Sequence, residues 1–191
     1  MIEPICLDYE YWQIHSFRPE ELARHKHLIK EIHRLLTDLQ TLQFLPEKRI
    51  HALAEAENWL KSAILNYYCG KNFIHLITER KTCRLIGMID IIPPETSMKH
   101  YELAEYSYFV EFYLNSEVTG NNLMSSVLPL VLEAMQQQEI KQVAAAVNRQ
   151  NHAAKKVLLR SGFNYHSRFD ILQDLYMINL GEQFPKIRQV G

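Results

Sequence analysis

No run of about 18 consecutive apolar residues occurs in the 191-residue chain, which argues against a membrane-spanning helix. Neither sign of charge is in excess: 21 Lys and Arg stand against 22 Asp and Glu, a formal net charge of -1. That balance removes any general electrostatic pull toward nucleic acid or an anionic membrane, so an acidic ligand has to be held locally. Cysteine is sparse. Cys6, Cys69 and Cys83 are odd in number, far apart and form no C-x-x-C pair, which points to free thiols in a reducing compartment. The first residues, MIEPICLDYEYW, carry acids where a signal peptide needs a basic region followed by an apolar one. A soluble, cytoplasmic protein is expected. Metal ligation lacks support as well: there is no HExxH, and His25, His27 and His33 are not spaced as ligands on one helix face. No Ser-His-Asp or Cys-His order is readable either.

The chain does hold enough apolar residues, 47% of the total, to bury one core in a single domain spanning residues 1–191. Pro19, Glu20 and Glu21 read as the first turn of a helix, continued by Leu22, Ile29, Ile32, Leu36 and Leu39 at helical spacing. Pro46 and Glu47 start a second, with Ile50, Leu53, Ala54, Glu57, Leu60 and Ile64 along one face until Gly70 stops it. The N-terminal third is therefore expected to be helical. Short β-rich runs follow. Phe73 to Thr78 and Arg84 to Ile92 make a hairpin ended by Pro93-Pro94, and a longer strand runs from Tyr101 to Leu114. After a polar loop come a helix from about Asn122 to Gln138, a strand from Gln142 to Val147, a further helix, and a last hairpin from Phe163 to Leu180. Two strands joined by a helical crossover are expected to pair in parallel with right-handed sense.

The most informative segment is VAAAVNRQNHAAKKVLLRSGF, from Val143 to Phe163. It reads as a small-residue strand, a helix capped by Asn151 with Val157 and Leu158 facing inward, and a stop at Gly162 before Phe163. An asparagine N-cap accepts hydrogen bonds from the first free amides of a helix, and a glycine supplies the left-handed residue that ends one. This segment resembles the second cofactor-binding motif of the GNAT N-acetyltransferases: a strand, Asn-x-x-Ser, a short helix with Val-Leu, and Gly-Phe. The resemblance extends from about Phe17 to Leu180, and CRLIGMIDI and DLYMINL look like the branch that contains ribosomal-protein-alanine N-acetyltransferases. It implies an α+β GNAT fold with a mixed, mostly antiparallel sheet and a central parallel strand pair joined by a helix.

The same resemblance implies a function. In this family the helix after the long strand opens with Q/R-x-x-G-x-G/A, whose amides wrap the pyrophosphate of coenzyme A. Here the segment is Ser116-Glu117-Val118-Thr119-Gly120-Asn121-Asn122-Leu123-Met124, with one of the glycines present. Either Glu117 or Thr119 falls at the Gln position, depending on the alignment. A helix N-terminus binds an anion without any cationic side chain, and asparagine tolerates the left-handed conformation, so Asn121 or Asn122 can replace a glycine there. Glu117 is a carboxylate placed beside a diphosphate. Pro129 removes one bond from the following helix and is expected to bend it.

Strict alternation puts Ala104, Tyr106, Tyr108, Val110, Phe112 and Leu114 on one face of the long strand and Glu105, Ser107, Phe109, Glu111 and Tyr113 on the other. The second face is the candidate cleft wall. Glu105 stands at the acidic position of the family's Ala-Glu-apolar-x-Tyr pattern, here AEYSY, which makes it the candidate general base, with Glu111 in reserve. The resemblance places the backbone amide that meets the thioester carbonyl near Phe109 or Val110. It assigns Asn151 to the pantetheine arm, while Ala154 stands where a hydroxyl residue protonates the departing thiolate. Of the basic residues Lys155, Lys156 and Arg160, Lys156 is taken as a contact for cofactor phosphate. The expected cofactors are acetyl-CoA as cosubstrate and no metal; the expected partners are this thioester and a primary amine, on a protein N-terminus or a small molecule. The competing reading is a catalytically degenerate GNAT-fold acyl-CoA-binding or regulatory protein. The sequence says nothing of the oligomeric state.

Overall fold

The computed structural model describes residues 2–101 and 107–181. The chain forms two compact units, Met1–Met124 and Ser125–Gly191. In the first unit, β1 (Leu7–Asp8) and β2 (Trp12–His15) precede the helices. The helical opening expected from the sequence thus begins with a strand pair, and Ile14, one residue of it, is fully buried opposite Ile77. The first helix is broken into α1 (Pro19–Ala23) and α2 (His25–Thr37), with Arg24 between them. Leu28, Ile29, Ile32, Leu35 and Leu36 form the buried stripe of α2. Leu39, expected on that face, lies past the end of α2 and is 64% exposed.

Pro46–Lys48 forms only a 3-10 turn, and α3 starts later, at Leu53, and runs to Tyr68. A different face turns inward: Ala56, Leu60, Ala63 and Tyr67 are the buried residues of α3, and of the expected stripe only Leu60 and, ahead of the helix, Ile50 are buried. Gly70, at φ 68°, stops α3 as expected, with its amide donating to the Tyr67 carbonyl. Helix α2 packs on α3, and α3 lies against β3 (Phe73–Glu79).

Strand β4 (Leu85–Ile92) pairs with β3 in the expected hairpin. The two prolines follow the end of β4, as expected. Pro94 opens α4 (Pro94–Tyr101), a position where its fixed φ suits a helix and its missing amide loses nothing. The Thr96 and Ser97 amides donate to the Pro93 carbonyl. Tyr101 therefore belongs to a helix, and the strand expected to begin there is β5 (Tyr108–Leu114). Pairing within this unit is antiparallel throughout the order β1-β2-β3-β4-β5, with Asp90 opposite Glu111 and Met88 opposite Tyr113.

Helix α5 (Leu123–Gln137) carries Pro129 within it. It leads to β6 (Gln142–Asn148), α6 (His152–Arg160), β7 (Asn164–Arg168) and β8 (Gln173–Asn179), in the places the sequence gives them. In the second unit β8 pairs antiparallel with both β6 and β7. Its turn is fastened by Arg149, whose guanidinium donates to the carbonyls of Asp170, Ile171 and Gln173 and pairs with Asp174 at 2.8 Å. Among the described residues no helix is long and apolar enough to cross a membrane.

One position in the first unit admits no side chain. A Cβ on Gly87 would lie 2.5 Å from Leu114 Cδ2 and 2.7 Å from the Tyr113 carbonyl oxygen. Gly87→Ala is expected to destabilise the fold by about 1–3 kcal/mol, the usual cost of overpacking. A urea unfolding midpoint equal to that of the wild type would refute this close approach.

Candidate active site

The segment from Asn115 to Leu123 is built by turns that the sequence specifies. Asn115 accepts the Glu117 amide at 3.0 Å and opens the 3-10 turn Ser116–Val118, and Thr119 donates its hydroxyl to the Asn115 carbonyl. Gly120 follows at φ 88° and Asn122 at φ 57°, so an asparagine takes the left-handed place of the second glycine. Nothing lies within 4 Å of a Cβ built on Gly120, so glycine is needed there for its backbone conformation and not for space. Helix α5 then starts at Leu123. Its opening turn carries amides without intrahelical acceptors, at the positive end of the helix dipole.

Glu117 is not left to repel an anion. Its carboxylate pairs with Arg34 of α2 through one oxygen and with Arg84 through the other, the latter at 2.8 Å. Asp38, just after α2, anchors the same segment by accepting the Ser116 hydroxyl and, at 2.9 and 3.2 Å, the Gln40 and Thr41 amides. Burial would raise the Asp38 pKa, but the bonds from Ser116, Thr41 and Gln40 outweigh it and hold the carboxyl below its ordinary value. Thr41 adds a bond to the Leu114 carbonyl at 2.9 Å. Arg34, Arg84 and Asp38 were not legible as partners of this loop, since 83, 33 and 78 residues separate them from their contacts.

Of the strand residues, Phe109 and Val110 are both buried, opposite Ile92 and Ile91. Glu105, together with Ala104 and Tyr106, lies outside the described residues. Glu111 is engaged: its carboxylate is 2.9 Å from Lys48 Nζ. Next to it, Asp90 is buried, accepts the Asn72 side-chain amide at 2.9 Å, and is pushed up to about 6 by burial against the opposing pull of Lys48. Desolvation alone would lower the Lys48 pKa, but Glu111, Tyr113 and Asp90 raise it above the ordinary lysine value. An aspartate inside the apolar run LIGMIDII is the signal in the sequence that marks this position.

In the second unit, Asn151 caps α6 as expected, accepting the Ala154 amide at 3.0 Å. Leu158 is fully buried and Val157 half-buried, while Gly162 takes φ 90° ahead of the buried Phe163. Lys155 is turned to Asp174, 3.2 Å away, and Lys156 and His152 are exposed. Tyr165 is exposed and meets Tyr176 edge-on. Among the described residues no group of three or more His, Cys, Asp or Glu side chains could hold a metal ion.

Residues 21–164 match the family model described as an acetyltransferase (GNAT) domain. No curated protein matches the sequence. Among solved structures, an acetyltransferase (GNAT family) from Bacillus anthracis superposes with a TM-score of 0.68 at 14% identity, over 93% of this chain and 100% of that one. A ribosomal-protein-S5-alanine acetyltransferase from Vibrio fischeri gives 0.66 at 14% identity, covering 95% and 100% of the two chains. A spermidine N-acetyltransferase from Vibrio cholerae, in complex with CoA and spermine, gives 0.65 at 14% identity over 89% and 96%. These likenesses show a shared fold.

The buried titratable groups give a pH dependence of stability. His75 accepts the Ile5 amide at Nε2 and meets the Phe73 carbonyl through Nδ1, and burial pushes its pKa down to about 4 from 6.5. Its contribution is complete above 6.5 and is lost as the pH falls toward 4. Asp90, raised from 3.8 to about 6, acts in the opposite sense, since its contribution is complete below 3.8 and is lost as the pH rises through 6. Each is worth up to about 3 kcal/mol. Asp90→Asn should therefore steepen the rise of Tm between about pH 4 and 6.5. An unchanged Tm profile would mean that the Asp90 carboxyl titrates ordinarily.

Proposed function

Because this chain belongs to the GNAT acetyltransferase family, we propose that it transfers the acetyl group of acetyl-CoA to a primary amine, on a protein N-terminus or a small molecule. The observation that carries this reading is the loop before α5. Two left-handed residues, Gly120 and Asn122, turn the chain into a helix N-terminus, and the Glu117 carboxylate is already paired with two arginines. Thr119, Gly120, Asn121, Asn122 and Leu123 would supply backbone amides to the pyrophosphate. The side-chain nitrogen of Asn151, whose oxygen is used by the cap, would hold the pantetheine arm, and Lys156 would meet a cofactor phosphate. That the Vibrio cholerae spermidine enzyme is in complex with CoA supports the same cosubstrate here. We treat the chain as one acyltransferase domain, since the family match runs through the boundary at Met124. Three exposed free cysteines suit a cytoplasmic setting.

The transfer follows from direct attack. The neutral amine nitrogen bonds to the thioester carbonyl carbon, the C–S bond breaks, and Glu105 takes the amine proton directly or through water. A backbone amide at Phe109 or Val110 would stabilise the oxyanion. Ala154 has no proton to give, so the departing thiolate takes one from water or from another group such as Tyr165 or His152, and Glu105 returns its proton to solvent.

Acetyl-CoA should raise the melting temperature by several degrees, as a ligand bound only by the folded state does. Thiol release in its presence, measured across peptides, polyamines and aminoglycosides, should be amine-dependent. If the cofactor binds but the release trace stays flat for every amine, the chain is a binder and not a transferase. Glu105→Gln should lower turnover by about 10²-fold or more with unchanged acetyl-CoA affinity. Full turnover in that variant would remove Glu105 from the role.

A further inference from the structure

We propose that Asp90 and Glu111 form a subsite for a second, non-reacting ammonium group of the amine acceptor, at the place where Lys48 now stands. The inference deepens the transferase reading and rests on it for the identity of the acceptor. Asp90 and Glu111 lie directly opposite each other on β4 and β5. Like charges in that position repel, so the pair calls for a cation. Lys48 supplies one, 2.9 Å from Glu111 Oε2 and 5.8 Å from the centre of the Tyr113 ring. Two carboxylates therefore face one ammonium.

The unmet demand is on Asp90. Its Oδ2 accepts from Asn72 at 2.9 Å, but its Oδ1 is buried and has no hydrogen-bond partner among the described residues, in a side chain whose residue is 4% exposed. The Oδ1 of Asn72, whose amide donates to Asp90, is likewise buried and unpartnered among the described residues, and buried acceptors without a donor mark the place of a missing donor. The cluster is not sealed: the side chains of Lys48 and Glu111 are each 22% exposed. Lys48 rises from the 3-10 turn between α2 and α3 on a flexible four-carbon stem, so an incoming cation can displace it. A ligand entering there meets two carboxylates and an aromatic face, the surroundings that suit an alkylammonium ion.

The group held there is not the nucleophile. Carboxylates favour the charged form of an amine, whereas attack on the thioester needs the neutral form. The subsite thus selects an acceptor with two nitrogens, a polyamine or a lysine-bearing peptide, and holds the nitrogen that does not react.

The test is calorimetric titration of the full chain, with and without CoA, using spermidine, n-butylamine and a lysine-containing tripeptide. No acetyl group is present, so binding is read without turnover. Spermidine or the tripeptide should bind at least about tenfold more tightly than butylamine, and Asp90→Asn should abolish that preference. Whichever of the two binds more tightly identifies the source of the second ammonium. Glu111→Gln serves the same purpose if Asp90→Asn does not fold. Lys48→Met, which removes the internal competitor, should tighten spermidine binding severalfold. Equal affinity for all three ligands, or a spermidine preference that survives both carboxylate substitutions, overturns the subsite. Failure of CoA itself to bind overturns the transferase reading instead, and the titrations without CoA still decide the subsite.

Discussion

The loop before α5 depends on how Glu117 is neutralised. A free carboxylate beside a helix N-terminus would compete with any other anion for its amides. Here both carboxylate oxygens are taken, by Arg34 and by Arg84, and the turn that carries Glu117 is also fastened by Asp38 through Ser116. The side chain that looks most hostile to an anionic ligand is thus a fixing point for the loop that would receive one. Exposed ion pairs contribute little stability singly. Their importance here is positional, because they decide where a negative charge does not point.

What could be read in the sequence follows the reach of the interactions involved. Asn151, Gly162 and Gly70 act through backbone groups within a few residues, so the cap and the two stops were legible from spacing alone. The hairpin of β3 and β4 and the succession from α5 to β8 were legible for the same reason. The face of α3 was not, because which side of a helix meets the core is set by what packs on it, and the buried side carries Ala56, Ala63 and Tyr67 in place of Leu53, Ala54 and Ile64. Pro93-Pro94 marks the end of β4 as read, whereas the helix α4 that the second proline opens was not foreseen. The partners of Glu117 and the pairing of Asp90 with Glu111 arise from residues far apart in the chain, and no local pattern encodes them.

The first unit combines two kinds of buried polar residue. His75 has both ring nitrogens engaged and belongs to the architecture. Asp90 has one oxygen satisfied and one not. Asp90 is the one polar side chain of β4, His75 stands within the apolar stretch Phe73–Ile77 of β3, and the difference between them lies in the bonding and not in the depth. A satisfied buried group reports on folding, whereas an unsatisfied one asks what else is meant to be there.

The imidazole of His75 has a further consequence. Its Nε2 receives the amide of Ile5, and a ring nitrogen that accepts a hydrogen cannot also carry one. Attachment of the segment ahead of β1 and neutrality of that ring are accordingly one condition seen from two sides. Whatever charges the imidazole unfastens the leading end of the chain, and whatever pulls that end away makes the ring more basic.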